Sequence, residues 1–187
     1  RARIYFYWKS SLKQFKRFDI CRCRTILCES GPFKDENIEL GLGYLDKCVP
    51  GDVLIVSGGE NFAYFGELMS RLALARELSG AIILGATRDT RFTGDYLTIA
   101  AKSYTPVDIK GRGRVVDTGC SFTYQNNVIS EDMYVVADND GAIFFQHEKI
   151  LDLLDKLSTI IDHEATLIEK IESGHSVKEI LKFTKSF

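Results

Sequence analysis

Two apolar runs, VLIVS at 53–57 and AIILG at 81–85, stand on either side of a glycine-marked turn and a stretch with helical spacing. No other feature narrows the fold as much. Aliphatic residues without polar alternation suit a strand covered on both faces, as strands of parallel sheets are. Between them, residues 67–78 read as a helix with Leu68, Leu72 and Ala75 along one stripe, and Gly80 reads as the residue that ends it. Strand, helix and strand at this spacing form a parallel crossover unit, which places the chain in the α/β class.

The flanking segments fill out this expectation. CRCRTILC at 21–28 alternates and then turns apolar, like a strand entering a core. Residues 38–49 carry apolar side chains at helical spacing, and Pro50, Gly51 and Asp52 form a turn. Residues 95–104 are expected as a short helix, and PVDIKGRGRVV, opened by Pro106, as strand with a glycine bend. MYVVADNDGAIFF reads as a hairpin turning through Asp138 to Gly141, residue types that accept positive φ. Over 147–172, Ile150, Leu153, Leu157, Ile160, Leu167 and Ile171 recur at helical spacing, so a long amphipathic helix closes the chain, followed after Gly174 by a shorter one.

A chain of 187 residues suits one domain with a real core. No window approaches the roughly 18 unbroken apolar residues of a membrane span. The opening does not read as a signal peptide, because Lys and Arg interrupt its aromatics before an apolar stretch forms. Five cysteines include no CxxC pair, and each is expected as a buried reduced thiol, which suits a reducing, cytoplasmic compartment. His147, His163 and His175 are scattered far from those thiols, which argues against a zinc site. The first 24 residues hold eight Lys or Arg against Asp19 alone, interleaved with Tyr5, Phe6, Tyr7, Trp8, Phe15 and Phe18. Such a segment can grip phosphates and stack bases. A net charge of −2 and the lack of an RNP-type motif favour the other reading, aromatics packed on the domain with solvated cations.

Two signals bear on chemistry. Gly58, Gly59 and Gly66 precede the expected helix at Glu67, and a glycine-rich turn into a helix start points backbone N–H groups at an anion. There is no GxxxxGK, and GRGRVV at 111–116 breaks the dinucleotide spacing. A small carboxylate fits better than a triphosphate, since no lysine occurs between Lys47 and Lys102. The second signal is Arg88 followed by Asp89, just beyond the second apolar run. Open α/β sheets bind ligands at the carboxyl ends of their strands. Arginine can grip a carboxylate through two parallel hydrogen bonds, and an aspartate can hold Mg²⁺ or Mn²⁺ with water completing the shell. The same segment has no lysine to form a Schiff base, and Ser57 with two following glycines lacks the nucleophile-elbow pattern.

Taken with PGDVLIVSGG, FGELMSRLALARELSGAIILGATRD, TPV and VVADNDGAIFF, the order and spacing resemble the RraA-like family, over roughly residues 20–185. That family holds the regulator of ribonuclease activity A and metal-dependent aldolases of the 4-hydroxy-4-methyl-2-oxoglutarate type. The chain is then expected to divide into the basic aromatic segment at 1–19 and an RraA-like α/β domain at 20–187. For that domain the resemblance implies a mixed central sheet of the swivelling β/β/α type flanked by helices and a long C-terminal helix. It implies a keto acid bound by Arg88 and by the Gly66, Glu67, Leu68 and Met69 amides, with Asp89 holding the metal. Glu67 answers to the acidic residue that aldolases carry twenty-one places before the arginine; Phe92 fails the alternative position, although Asp95 lies near it. The implied activity is retro-aldol cleavage of a pyruvate-containing hydroxy diacid or decarboxylation of oxaloacetate. A homotrimer or hexamer is implied too, and the alternative is a non-catalytic protein that binds a ribonuclease or another partner.

Overall fold

The structure, a computed structural model, describes residues 6–8, 18–90, 97–138 and 140–184. Contacts divide the chain into two compact units, one within Arg3–His147 and one within Glu148–Phe187.

The first unit is built on a mixed sheet. Its strands are β1 (Phe6–Trp8), β2 (Phe18–Ser30), β3 (Val53–Val56), β4 (Ala63–Phe65), β5 (Gly80–Thr87), β6 (Thr98–Tyr104), β7 (Gly113–Thr118), β10 (Met133–Ala137) and β11 (Ala142–Gln146). A separate hairpin joins β8 (Phe122–Tyr124) to β9 (Asn127–Ile129). The helices of this unit are α1 (Ile38–Tyr44) and α2 (Glu67–Ala75). The expected crossover forms: β3 and β5 pair in parallel, with Val53 opposite Gly80 and Val56 opposite Ile83. Their alternate residues enter two apolar clusters, Leu54, Val56, Ala81 and Ile83 in one, Val53, Ile55, Ile82 and Leu84 in the other. Both faces are therefore covered, which is why these runs show no polar alternation. Along its first half β5 has β3 as neighbour; β4 continues the same edge beside Ala86 and Thr87, and β6 runs parallel on the other side. β2 reaches across the sheet, pairing in turn with β10, β3 and β7.

Several local expectations are corrected. Helix α2 stops at Ala75, and Glu77, at φ 57°, takes the left-handed position expected of Gly80, which instead opens β5. Its core-facing residues are Met69, Ser70 and Ala73, whereas Leu68 and Leu72 are exposed. The stripe lay one step round the helix, because Ser70 hides its hydroxyl on the Gly66 carbonyl at 2.9 Å and so packs like a small apolar residue. Residues 98–104 form strand β6 rather than helix, drawn into the sheet beside β5; the start of that expected helix lies outside the described residues. The hairpin of β10 and β11 turns through Asp138, whose carboxylate accepts the Asp140 and Gly141 N–H groups at 2.8 and 3.3 Å. That is an aspartate-closed turn at the place expected for the hairpin, with Asn139 outside the described residues. Cys21, Cys23, Cys28 and Cys48 are buried, but Cys120 is only half-buried.

The second unit contains α3 (Ile150–Glu172) and α4 (Val177–Ile180). Gly174, at φ 77°, makes the bend, and Ser176 with Glu179 forms a capping box that starts α4. Along α3 the residues Leu151, Leu154, Leu157, Ile161 and Ile168 are exposed. Among the described residues no helix is long and apolar enough to cross a membrane.

Candidate functional site

The end of β5 delivers Arg88 and Asp89 to one corner of the first unit. Thr87 is buried and its hydroxyl donates to the Phe65 carbonyl at 3.0 Å, while the Arg88 N–H donates to the same oxygen at 3.1 Å. The chain is thus stitched to β4 at the residue that leads into α2. Asp89 then adopts φ 57°, a left-handed conformation uncommon outside glycine. This turn ends the strand and brings the Asp89 carboxylate to the start of α2, where Oδ2 accepts the Glu67 N–H at 3.2 Å. Gly66, the N-cap residue, has no side chain to do this, so a carboxylate from β5 caps the helix and meets the positive end of its dipole.

Gly66 is required there by space. A Cβ on it would lie 2.6 Å from Asp89 Oδ2 and 2.8 Å from Arg88 Cγ. The pair Gly58-Gly59 has a different role from the one its sequence suggests. A Cβ on Gly85 would lie 2.7 Å from the carbonyl oxygens of both, and the Ala86 N–H donates to the Gly59 carbonyl at 3.2 Å. Gly85 is what lets the two backbones touch, whereas a Cβ on Gly58 would meet nothing and one on Gly59 would meet Ser30 Oγ and the Phe62 ring; only Gly66 belongs to the helix start.

Arg88 is held on two sides. Its Nε lies 3.5 Å from Asp89 Oδ2, and its Nη1 pairs with Asp108 Oδ2. The other Asp108 oxygen accepts the Lys110 N–H at 2.9 Å. Burial alone would raise the Asp108 pKa; the Arg88 guanidinium, the Lys110 amide and the charges of both residues outweigh it and hold the carboxyl below its ordinary value. Arg88 and Asp89 line an open cleft of about 280 Å³ with Thr90, Tyr104 and Thr105.

The expected site residues therefore meet in part. Arg88, Asp89, Gly66 and the Glu67 amide share one corner. The Glu67 carboxylate instead accepts Arg71 Nε at 2.8 Å, one turn along α2, and Glu67 does not line the cleft. Leu68 is 75% exposed and Met69 only 4%, its side chain in the core, so both can serve a ligand only through backbone N–H groups of the first helical turn. Phe92 and Asp95 lie outside the described residues. Sequence reasoning missed Asp108. The local signal was there, an aspartate two places before Lys110 and three before Gly111, as in an aspartate-closed turn, but nothing local connects it with Arg88 twenty residues earlier.

Among the described residues no three His, Cys, Asp or Glu side chains gather as a metal cage. What remains is one carboxylate, 44% exposed, whose Oδ1 has no partner among the described residues. Such a set fits a hard cation that keeps most of its water and takes its other oxygens from a ligand, as Mg²⁺ does.

Fold and site define an α/β protein that presents an arginine–aspartate corner at the carboxyl end of a parallel strand, against the start of its crossover helix. The chain belongs to the RraA-like family, described as Aldolase/RraA, whose model matches residues 7–144. The match begins within the basic aromatic segment and stops short of α3. No curated protein matches the chain. Among solved structures, an uncharacterized protein from Pseudomonas syringae pv. tomato superposes with a TM-score of 0.76 at 18% identity, covering 92% of this chain and 82% of that one. RraAS2 of Streptomyces coelicolor, described as an unusual member of the RNase ES inhibitor RraA family, gives 0.71 at 18% identity, covering 94% and 84%. The RNA-processing inhibitor RraA from Thermus thermophilis gives 0.56 at 24% identity, covering 73% and 84%. At these identities the likeness is one of fold.

Proposed function

We propose that the chain is a divalent-metal-dependent lyase that forms a pyruvate enolate, by retro-aldol cleavage of a pyruvate-containing hydroxy diacid or by decarboxylation of oxaloacetate. The observation that carries this reading is the Asp89 carboxylate, with one oxygen on the α2 start and the other open, beside the Arg88 guanidinium in a cleft that both residues line. Breaking the carbon–carbon bond next to an α-keto acid leaves its electron pair on the pyruvate portion as an enolate. Arg88 would stabilise that oxygen as charge develops, and the amides of the α2 start would hold the adjacent carboxylate. Asp89 would hold the Mg²⁺ or Mn²⁺, which supplies Lewis acidity to the keto and carboxylate oxygens. Glu67 acts as base in this scheme only after its carboxylate leaves Arg71. A homotrimer or hexamer belongs to the same reading and is checked by the mass in solution.

Pyruvate release from oxaloacetate by the full chain with Mg²⁺ tests it. Release that disappears with EDTA and in Asp89→Ala supports the lyase; release indifferent to both contradicts it. One observation favours a second reading, a protein-binding regulator: the Glu67 carboxylate is engaged by Arg71 one turn along α2, and among the described residues no three acidic, His or Cys side chains gather as a metal cage. One protein of similar fold is described as an RNA-processing inhibitor and another as an unusual member of an RNase inhibitor family. Ribonuclease binding without turnover would select it.

A further inference from the structure

We propose that Asp108 is a positioning residue for Arg88, fixing which edge of the guanidinium meets the oxygens of a keto acid; this rests on the lyase reading of the same corner. Arg88 has five N–H donors in a planar fork, and a fork grips a carboxylate well only when its plane is held. Asp89 sits at the Nε end and Asp108 at Nη1. Nη2 is the nitrogen without a partner among the described residues.

Asp108 is suited to this task because it is anchored on its own account. One carboxylate oxygen is spent on the Lys110 N–H at 2.9 Å, so the group cannot swing without breaking its own turn. Its backbone forms a parallel bridge with Ala63, and the Ala63 N–H donates to the Val107 carbonyl at 2.9 Å, which ties the turn to β4, the strand that leads into α2. Asp108 thus connects the guanidinium to the same backbone that presents the helix-start amides. It does not line the cleft, so it grips Arg88 without taking the ligand's place. An arginine tethered at one end only, by Asp89, would share that tether with a metal; the Asp108 contact persists when Asp89 is otherwise engaged.

The test uses oxalate, a planar mimic of the pyruvate enolate, titrated into the full chain with Mg²⁺ in a calorimeter. Asp108→Asn, which keeps the shape and removes the charge, is expected to weaken oxalate by about tenfold, the scale of one charge-assisted hydrogen bond. Asp108→Glu, which restores the charge on a longer arm, should fall between Asn and the natural residue. In an Arg88→Ala background, Asp108→Asn should add no further loss, a result that a general loosening of the turn would not give. If Asp108→Asn does not fold, the Asp108→Glu isotherm decides: weaker binding supports the assignment and unchanged binding overturns it. Natural affinity in Asp108→Asn also overturns it while leaving the lyase reading intact. Absence of oxalate binding by the natural chain defeats that reading, and this assignment with it.

Discussion

The chain builds two arginine–aspartate clusters at opposite ends of its parallel strands, and they differ in how much water they keep. At the entry to β3, Asp52 accepts Arg24 Nε at 2.5 Å and Arg22 Nε at 3.1 Å, and Arg24 also pairs with Glu131. At its centre the Asp52 side chain is 4% exposed and that of Arg24 11%, while Arg22 and Glu131 at its rim keep 37% and 31%. At the exit from β5, Arg88 and Asp89 keep 29% and 44% of their side-chain surface and line a cleft. The chemistry is the same; the surroundings are not. Charges taken fully out of water must satisfy one another, and such a cluster has no valence left for a ligand. The half-wet cluster retains an open carboxylate oxygen and an open guanidinium nitrogen, which is what a binding corner needs.

The largest effect should come from breaking the dry cluster. Asp52→Ala leaves Arg24 buried without its main partner and is expected to lower stability by about 3–5 kcal/mol in urea unfolding, with no selective loss of oxalate affinity in the protein that remains folded. Its pH dependence has a fixed sign. Burial alone would raise the Asp52 pKa, but bonds from Arg22, Arg24 and the Val49 N–H hold it below the ordinary value. A depressed carboxyl contributes stability above its unfolded pKa of about 3.9 and loses it as pH falls through the lower folded value. The stability gap between the natural chain and Asp52→Asn should therefore be constant above about pH 4 and shrink below it.

Gly66→Ala comes next. Its Cβ would stand 2.6 Å from Asp89 Oδ2, so the corner must open, at about 1–3 kcal/mol in the same unfolding assay and with loss of oxalate binding. Asp89→Ala removes only a helix cap from the fold, about 1 kcal/mol, yet should abolish metal-dependent binding. A larger loss of stability than Asp52→Ala would reverse the contrast between the two clusters. Arg71→Ala should be smallest, about 0.3–0.5 kcal/mol, because it breaks an exposed pair one helical turn apart. If it also changes turnover, by freeing Glu67 toward Asp89, the acid proposed as base is reachable.

What could be read from the sequence follows the range of the forces involved. The covered strands β3 and β5, the crossover between them and the long α3 declared themselves because periodicity is local. So did Arg88 and Asp89, whose place after an apolar run sets them at a strand end. The stripe of α2 misled because Ser70 packs in the core once its hydroxyl is bonded to Gly66. β6 was misread for a similar reason, since sheet pairing replaced the local preference. The partners Asp108, Arg24 and Glu131 stayed hidden because each is joined to its mate across the fold, with Arg24 and Glu131 107 positions apart in the chain.

Crystals of the chain grown with Mg²⁺ and oxalate test the central claim most directly. The account predicts a cation on Asp89 and the oxalate carboxylate between Arg88 and the first amides of α2. A cation and oxalate bound elsewhere while this corner holds only water would contradict it.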